Sequence, residues 1–333
     1  MAGEMMQAIE IKAFGGPEML QLCQRPRPTL SSKTILIKTA YAGVNRPDLL
    51  QRKGNYPVPK DANDLPGLEV SGQIIEIGSA VTNWKIGDRV CALCHGGGYA
   101  EYVAVDEGHA MAIPDGLDMA HAACLPETYI TVWGNLFMRG NLKKAERVLI
   151  HGGASGIGTT AVQLARQMGA EIYATAGDDA RCRYVEALGA RACFNYKSED
   201  FEERLAAETN GEGVDVVLDM VAGGYLEAHI AALKADGRLV IIAVQGGIKD
   251  TLALNNVMRK RLTITGSTLR PQSNAAKSAI IRDMQSHIWG WLETGYVAPI
   301  IQKVFDLKDA AKAHAALEAG QHIGKFVLHV ADI

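Results

Sequence analysis

Between residues 147 and 266, apolar runs of strand length alternate with segments whose apolar positions recur every three or four residues. The first pattern belongs to buried parallel strands and the second to amphipathic helices. It predicts strands at 147–151, 171–176, 192–196, 214–221, 238–244 and 262–266. Helices are predicted between them at 156–168, 179–188, 200–208, 224–234 and 252–259. Six strands joined by crossover helices make a complete doubly wound, six-stranded parallel sheet of the α/β class.

The pattern changes on either side. Short strands at 6–14, 34–41, 72–77, 89–92 and 100–105 are separated by turn clusters such as Gly15-Gly16-Pro17 and Gly54-Asn55-Tyr56-Pro57. That is the pattern of an all-β, partly open barrel or sandwich. Helices at 118–124 and 130–137 lead from it into the alternating region. After residue 268 come a helix at 275–293, a strand at 301–306, a helix at 308–319 and a strand at 325–330. Two strands are too few for a domain of their own, so they are expected to return to the first one. The predicted division is 1–125, 126–267 and 268–333, with the middle segment inserted in the other two. Ligand sites favour clefts between domains, so the active site is expected where the two domains meet.

The first strand of the alternating region runs into Gly153-x-x-Gly156-x-Gly158, and a helix with an apolar stripe leaves it. Glycines let backbone approach an anion, and a helix start offers free N–H groups and the positive end of its dipole. The spacing departs from the G-x-G-x-x-G fingerprint, with Ser155 in the place of the middle glycine. Alone, the turn is a dinucleotide site or merely a tight strand–helix connection. The repeated strand–helix units around it select the dinucleotide. Gly153, Ala154, Gly156, Ile157 and Gly158 are then expected around its pyrophosphate.

Composition narrows the remaining classes. The chain has 333 residues, long enough for two domains, and a formal charge of −3. That balance does not suit a nucleic-acid or anionic-membrane partner. No apolar run approaches the ~18–20 residues that span a bilayer, and Met1–Met6 lacks a leader pattern, so a cytoplasmic protein is expected. Of six cysteines, only Cys91 and Cys94 have C-x-x-C spacing, with His95 as the one nearby alternative ligand. That falls short of a four-ligand structural zinc, and reduced thiols are expected. No hydrolytic triad or acid pair is evident.

Several motifs carry a family resemblance. They are Met6-Gln-Ala-Ile-Glu10, Gly43-Val-Asn45, Pro66-Gly-Leu-Glu-Val-Ser-Gly72, Gly87-Asp-Arg-Val90, Gly98-Tyr-Ala-Glu-Tyr-Val103 and the glycine turn. Together they resemble the medium-chain dehydrogenase/reductase superfamily along nearly the whole chain. Leu125-Pro-Glu-Thr-Tyr, Phe194-Asn-Tyr196 and Ile264-Thr-Gly-Ser-Thr-Leu-Arg270 are similar to its zinc-independent quinone oxidoreductases, in particular the p53-inducible subgroup and its bacterial relatives. The resemblance implies a GroES-like catalytic domain and a Rossmann cofactor domain. Where zinc relatives have a cysteine after Gly-Val and a histidine in Gly-His-Glu, this chain has Asn45 and Leu68, neither a good zinc ligand. No metal is therefore expected, and reduction of quinones or enones is favoured over alcohol oxidation.

The resemblance also implies site residues. Asn45 matches a position close to cofactor and substrate, or else serves as a turn cap. Tyr56 matches a residue lining the quinone pocket, or else anchors its loop. Thr131 and Glu127 lie beside the expected nicotinamide, with Glu127 read as structural and Asp48 as holding its loop. Arg181 takes the place of a phosphate-binding lysine, or else is a solvated helix residue, while Asp178 beside it would repel a phosphate. Tyr196 matches an adenosine-side tyrosine. NADPH is preferred to NADH on these grounds. Val244, Gly246 and Gly247 should close over the nicotinamide, and Lys325 should lie near the cofactor phosphates or open a strand at the surface. Ser267 and Arg270 are assigned to the far wall of the substrate site. Protons are expected from solvent or Tyr56. His151 stands where the family is commonly small.

The expected activity is NADPH-dependent quinone reduction by hydride or electron transfer. The alternatives are an enone or enoyl reductase and a nucleotide-sensing or RNA-binding protein. A homodimer or homotetramer is expected, pairing through the edge strand at 262–266.

Overall fold

The computed structural model describes residues 4–333. Part of the Met1–Met6 stretch read above as lacking a leader pattern lies outside the described residues. The chain forms two compact units. One holds the described residues up to 130 together with 270–333, and the other holds 131–269.

The first unit opens with strands β1 (Met5–Ile11) and β2 (Leu20–Pro26), paired antiparallel. There follow β3 (Thr34–Val44), β4 (Glu69–Ile77), β5 (Arg89–Leu93), β6 (Tyr102–Asp106) and β7 (Ala110–Ala112). β2 and β7 are additional to the predicted strands. In β2 only the first residue is fully buried, so an apolar run gives no signal there. β7 has only three residues.

The second unit contains β8 (Arg147–Ile150), β9 (Glu171–Ala176), β10 (Ala192–Asn195), β11 (Val214–Asp219), β12 (Leu233–Ile241) and β13 (Thr263–Gly266). All six pair parallel in the order β10-β9-β8-β11-β12-β13. This is the Rossmann order, with its reversal between β8 and β11. The prediction for β12 was wrong at its start. Leu233 and Lys234 belong to the strand, and the preceding helix is only Leu226–Ala232. An irregular register between Val214 and Val216, with Asp236 at φ 62°, interrupts the period that sequence reading relies on.

The chain then adds β14 (Ile301–Asp306) and β15 (Lys325–His329), which complete the sheet of the first unit in the order β14-β15-β3-β4-β5-β7, with β6 also on β3. Ile35, Ile37, Val70, Ile74 and Val90 are all 0 % exposed in its core. Each such side chain contributes about 1.5–3 kcal/mol by leaving water.

The predicted helix at 130–137 resolves differently. A helix Leu125–Val132 is followed by a wider π-type stretch, Trp133–Arg139, in which Gly140 N donates five residues back to Asn135 O at 2.7 Å. No helix of the described residues is long and apolar enough to cross a membrane.

Candidate active site

In the first unit, three neighbouring strand ends set the central cluster. β15 pairs β3 with Phe326 opposite Val44, and β3 pairs β4 with Ala42 opposite Val70. Asn45, Glu69 and Lys325 thereby meet, each under 7 % exposed. Gly43 leaves the room for it, because a Cβ there would lie 2.0 Å from Glu69 Oε1. Lys325 Nζ donates to Glu69 Oε1 at 2.6 Å, to Val44 O at 3.2 Å and to Asn45 Oδ1. Asn45 Nδ2 donates to the same Glu69 oxygen at 2.8 Å. Glu69 Oε2 accepts from the Glu127 amide at 2.8 Å.

This corrects one expectation for Lys325, that of a surface lysine, since it is 5 % exposed. An ammonium has three donors, and here all three are taken inside the first unit. Asn45 stands at the N-cap of the helix Arg46–Arg52, and its side chain also bridges Lys325 and Glu69. Asp48 completes the capping box: its Oδ2 accepts from Asn45 N at 2.9 Å and from Tyr99 Oη at 3.2 Å, and its Oδ1 accepts from Gly67 N at 3.0 Å. Burial pushes the Asp48 carboxyl up to about 6, opposed by those backbone donors. Asp48 holds its loop, as the sequence reading has it.

Beside this cluster stand Tyr56 and Arg270. The Arg270 guanidinium lies 5.7 Å from the centre of the Tyr56 ring, within cation–π range. Its Nη1 donates to Gln51 Oε1 at 2.7 Å. Burial, with Glu127 nearby, pushes the Tyr56 hydroxyl up to about 12. Burial, reinforced by Glu69 and Asp48, raises Glu127 to about 8. Glu127 is thus a carboxyl that keeps its proton near neutrality, and Tyr56 a phenol that holds its proton more tightly than free tyrosine. Of the two, Glu127 is the better proton donor. Sequence reasoning set Glu127 aside as structural. The signal was the one charged residue in the stretch Leu125–Val132.

The second unit carries the glycine turn after β8. Gly152 has φ 63°, and a Cβ on Gly158 would lie 2.2 Å from Gly152 O. Only glycine allows the helix Gly156–Gln167 to start so close to the strand. Ser155 Oγ accepts from Gly158 N at 3.0 Å, so the residue in the middle glycine's place is the helix cap. The Gly156 and Ile157 amides have no acceptor among the described residues. Ala154 is buried and Ile157 half-buried. Gly153 packs where a Cβ would touch Ala174 and Val185.

At the end of β9, Asp178 and Arg181 are partners. Asp178 caps the helix Asp179–Leu188, accepting from Arg181 N and from Arg181 Nε, each at 2.8 Å. Those bonds hold the Asp178 carboxyl below its usual range, the backbone one first. The expected repulsion is therefore offset within the chain. Arg181 is not a solvated helix residue, its side chain being 16 % exposed. A Cβ on Gly177 would lie 2.8 Å from Tyr196 Oη and 2.9 Å from Arg181 Nη2, so both side chains converge over this glycine.

Beyond β12, Gly246 N donates to Val221 O at 2.7 Å and Gly223 N to Gly247 O at 3.1 Å. Gly247 has φ 148°, and Val244 is exposed. Thr131 O accepts from Asn135 Nδ2, and Asn135 Oδ1 accepts from Ser267 Oγ at 2.8 Å. Ser267 is thus engaged in the second unit, whereas Arg270 belongs to the first.

His151 now has an account. It is 0 % exposed, its Nδ1 lies 3.0 Å from Thr175 Oγ1 and its Nε2 lies 2.8 Å from His229 Nε2. His229 Nδ1 faces Asp219 Oδ2 at 3.6 Å. Phe201 and Tyr225 enclose the His151 ring edge-on. The six cysteines are free, and five are buried.

Comparison with known proteins agrees with this architecture. Residues 31–115 match the alcohol dehydrogenase GroES-like domain and residues 156–283 the zinc-binding dehydrogenase family. The chain is 30 % identical to the quinone oxidoreductase of Rattus norvegicus over 98 % of both chains. It superposes on the crystal structure of the Escherichia coli quinone oxidoreductase complexed with NADPH with a TM-score of 0.87, at 26 % identity, over 97 % of this chain and 100 % of that one. CurK enoyl reductase gives 0.86 at 27 % identity, over 98 % and 99 %. A GroES-like unit with a Rossmann unit defines an oxidoreductase of the medium-chain dehydrogenase/reductase class. Within that class, the chain belongs to the quinone oxidoreductase family.

Proposed function

We propose that this protein reduces quinones with NADPH and without zinc. The observation that carries the reading is the Asn45–Glu69–Lys325 cluster. Its residues do not fit a catalytic zinc: Asn45 and Leu68 occupy the ligand positions, and the Lys325 ammonium already lies against Asn45 and Glu69. A second cation there would meet a fixed positive charge. Among the described residues, no group of three or more His, Cys, Asp or Glu could hold a metal.

The second unit fits a dinucleotide. Gly153, Ala154, Gly156, Ile157 and Gly158 would hold the pyrophosphate on the free amides of the helix start. Arg181 would take the 2′-phosphate, with Tyr196 on the adenosine. Thr131, Val244, Gly246 and Gly247 would serve the nicotinamide end. When bound, the nicotinamide supplies the hydride. In the first unit, Tyr56 offers a flat face to the acceptor ring, and Arg270 offers a positive charge for the oxygen that becomes negative. Glu127 holds the proton that the reduced oxygen needs, and Asn45 is fixed by Glu69 and Lys325 to present its remaining amide hydrogen.

The test is oxidation of NADPH and of NADH, separately, with 1,2-naphthoquinone and with a 2-alkenal, in chelator-treated protein. Quinone turnover with NADPH supports the reading. Alkenal turnover alone makes the protein an enone or enoyl reductase, the reading that the likeness to CurK enoyl reductase favours. Tight NADPH binding without turnover would instead indicate a nucleotide sensor. We further propose a homo-oligomer paired through β13, which is an edge of its sheet. A monomeric mass in light scattering at micromolar concentration would refute that.

A further inference from the structure

Lys277 is a buried cation that no carboxylate touches among the described residues. It is 2 % exposed, and its ammonium has no hydrogen-bond or ion-pair partner among the described residues. It sits in the first turn of the twenty-residue helix Asn274–Glu293, the end whose dipole repels a cation, and that turn contains no acidic residue. Desolvation and dipole both disfavour a charge there. Natural chains place lysine so rarely in such a setting that an absent anion is the economical explanation.

A second buried cation acts on it. Arg270 is 4 % exposed and touches only neutral acceptors, Gln51 Oε1 at 2.7 Å and His95 O at 3.4 Å. Its Nε has no partner at all among the described residues. Gly96 makes room for the guanidinium, since a Cβ there would lie 3.0 Å from Arg270 Nη2. Lys277 and Arg270 are within electrostatic reach of each other, and both act on His95. Three acids act on Lys277, and each is engaged elsewhere or protonated. Asp61 lies against His95 at 3.3 Å in solvent, Asp106 accepts from Asn274 Nδ2 at 3.0 Å and from Gly108 N at 2.9 Å, and Glu127 carries its proton near neutrality.

We propose that Lys277 and Arg270 form a subsite for an acidic group, so that the preferred acceptor is a flat conjugated ring or enone bearing a carboxylate or sulfonate. The ring would lie against Tyr56, whose face Arg270 already borders. The acid would take the orphaned Nε of Arg270 and the ammonium of Lys277. The word acceptor rests on the quinone-reductase reading, but the subsite itself does not.

The experiment is therefore binding, measured by calorimetry on the full chain. 2-Naphthoate is compared with its uncharged methyl ester, in wild type, Lys277→Gln and Lys277→Arg. Wild type should bind the acid about 10-fold or more tightly than the ester, the worth of one charge-assisted hydrogen bond. That ratio should collapse in Lys277→Gln and persist in Lys277→Arg. An equal affinity for acid and ester in wild type overturns the proposal, even if the Gln variant fails to fold. So does a ratio unchanged in Lys277→Gln. If Lys277→Gln weakens NADPH and not 2-naphthoate, the lysine serves the cofactor and the proposal falls. A Lys277-dependent preference for the acid in a protein that reduces no quinone would uphold the subsite and reject the quinone reading.

Discussion

Lys325 and Glu69 form a buried ion pair at 2.6 Å between strands 256 residues apart in the chain. Glu69 is 0 % exposed, and its two carboxylate oxygens are committed to Lys325, Asn45 and the Glu127 amide. Removing one member strands a buried charge. Lys325→Met should lower stability by about 3–5 kcal/mol. The double variant Glu69→Gln/Lys325→Met should lose less than the sum of the two single variants, because no unpaired charge remains. Denaturant unfolding of all four proteins measures that coupling.

Glu127 provides a pH signature. Its carboxyl is raised by burial from 4.5 to about 8 in the folded protein. The folded state therefore binds this proton more tightly than the unfolded chain does. Stability from this group is full below about pH 4.5 and is lost as pH rises towards about 8. Glu127→Gln should flatten that decline in denaturation midpoint against pH. If Glu127 is the proton donor, the same variant should also abolish the alkaline fall in kcat/KM.

The buried histidine pair acts in the opposite direction. Burial holds His151 well below 6.5, with His229 adding to the effect, and burial lowers His229 itself. Unfolded histidines take up protons below about pH 6.5 where these two do not, so stability falls as pH drops through that value. His151→Leu should weaken this acid loss. At pH 8 it should cost about 1–3 kcal/mol by removing the ring that faces His229 Nε2 and Thr175 Oγ1.

Arg181 should decide between the two nicotinamide cofactors. Arg181→Ala removes a guanidinium held by Asp178 over Gly177. Its expected effect is a drop of about 10- to 100-fold in kcat/KM for NADPH, with NADH changed only a few-fold. Equal losses for both cofactors would remove the phosphate contact from Arg181. Asp178→Asn should reproduce part of the NADPH loss, since the carboxylate orients the arginine.

Much of this protein is written in local pattern. Strand and helix periods across 147–266 foretell the six-stranded sheet, because each element buries its own face with a fixed repeat. The turn Gly152–Gly158 is legible because glycine adopts φ 63° most readily and only glycine fits where a Cβ would lie 2.2 Å from backbone. The bulge at Asp236 escaped, since a register shift breaks the repeat that reading depends on. Family likeness located Asn45, Tyr56 and Arg181 as positions of interest. Which groups each side chain touches there was decided by tertiary structure alone. Lys325 pairs with Glu69 because β15 folds back onto β3, and no local rule joins residues so distant in sequence. Asp178 pairs with Arg181 because a helix start turns its carboxylate onto that arginine. Glu127 keeps its proton and Lys277 lacks a partner because burial and the surrounding charges act through space, and chain order does not encode those distances.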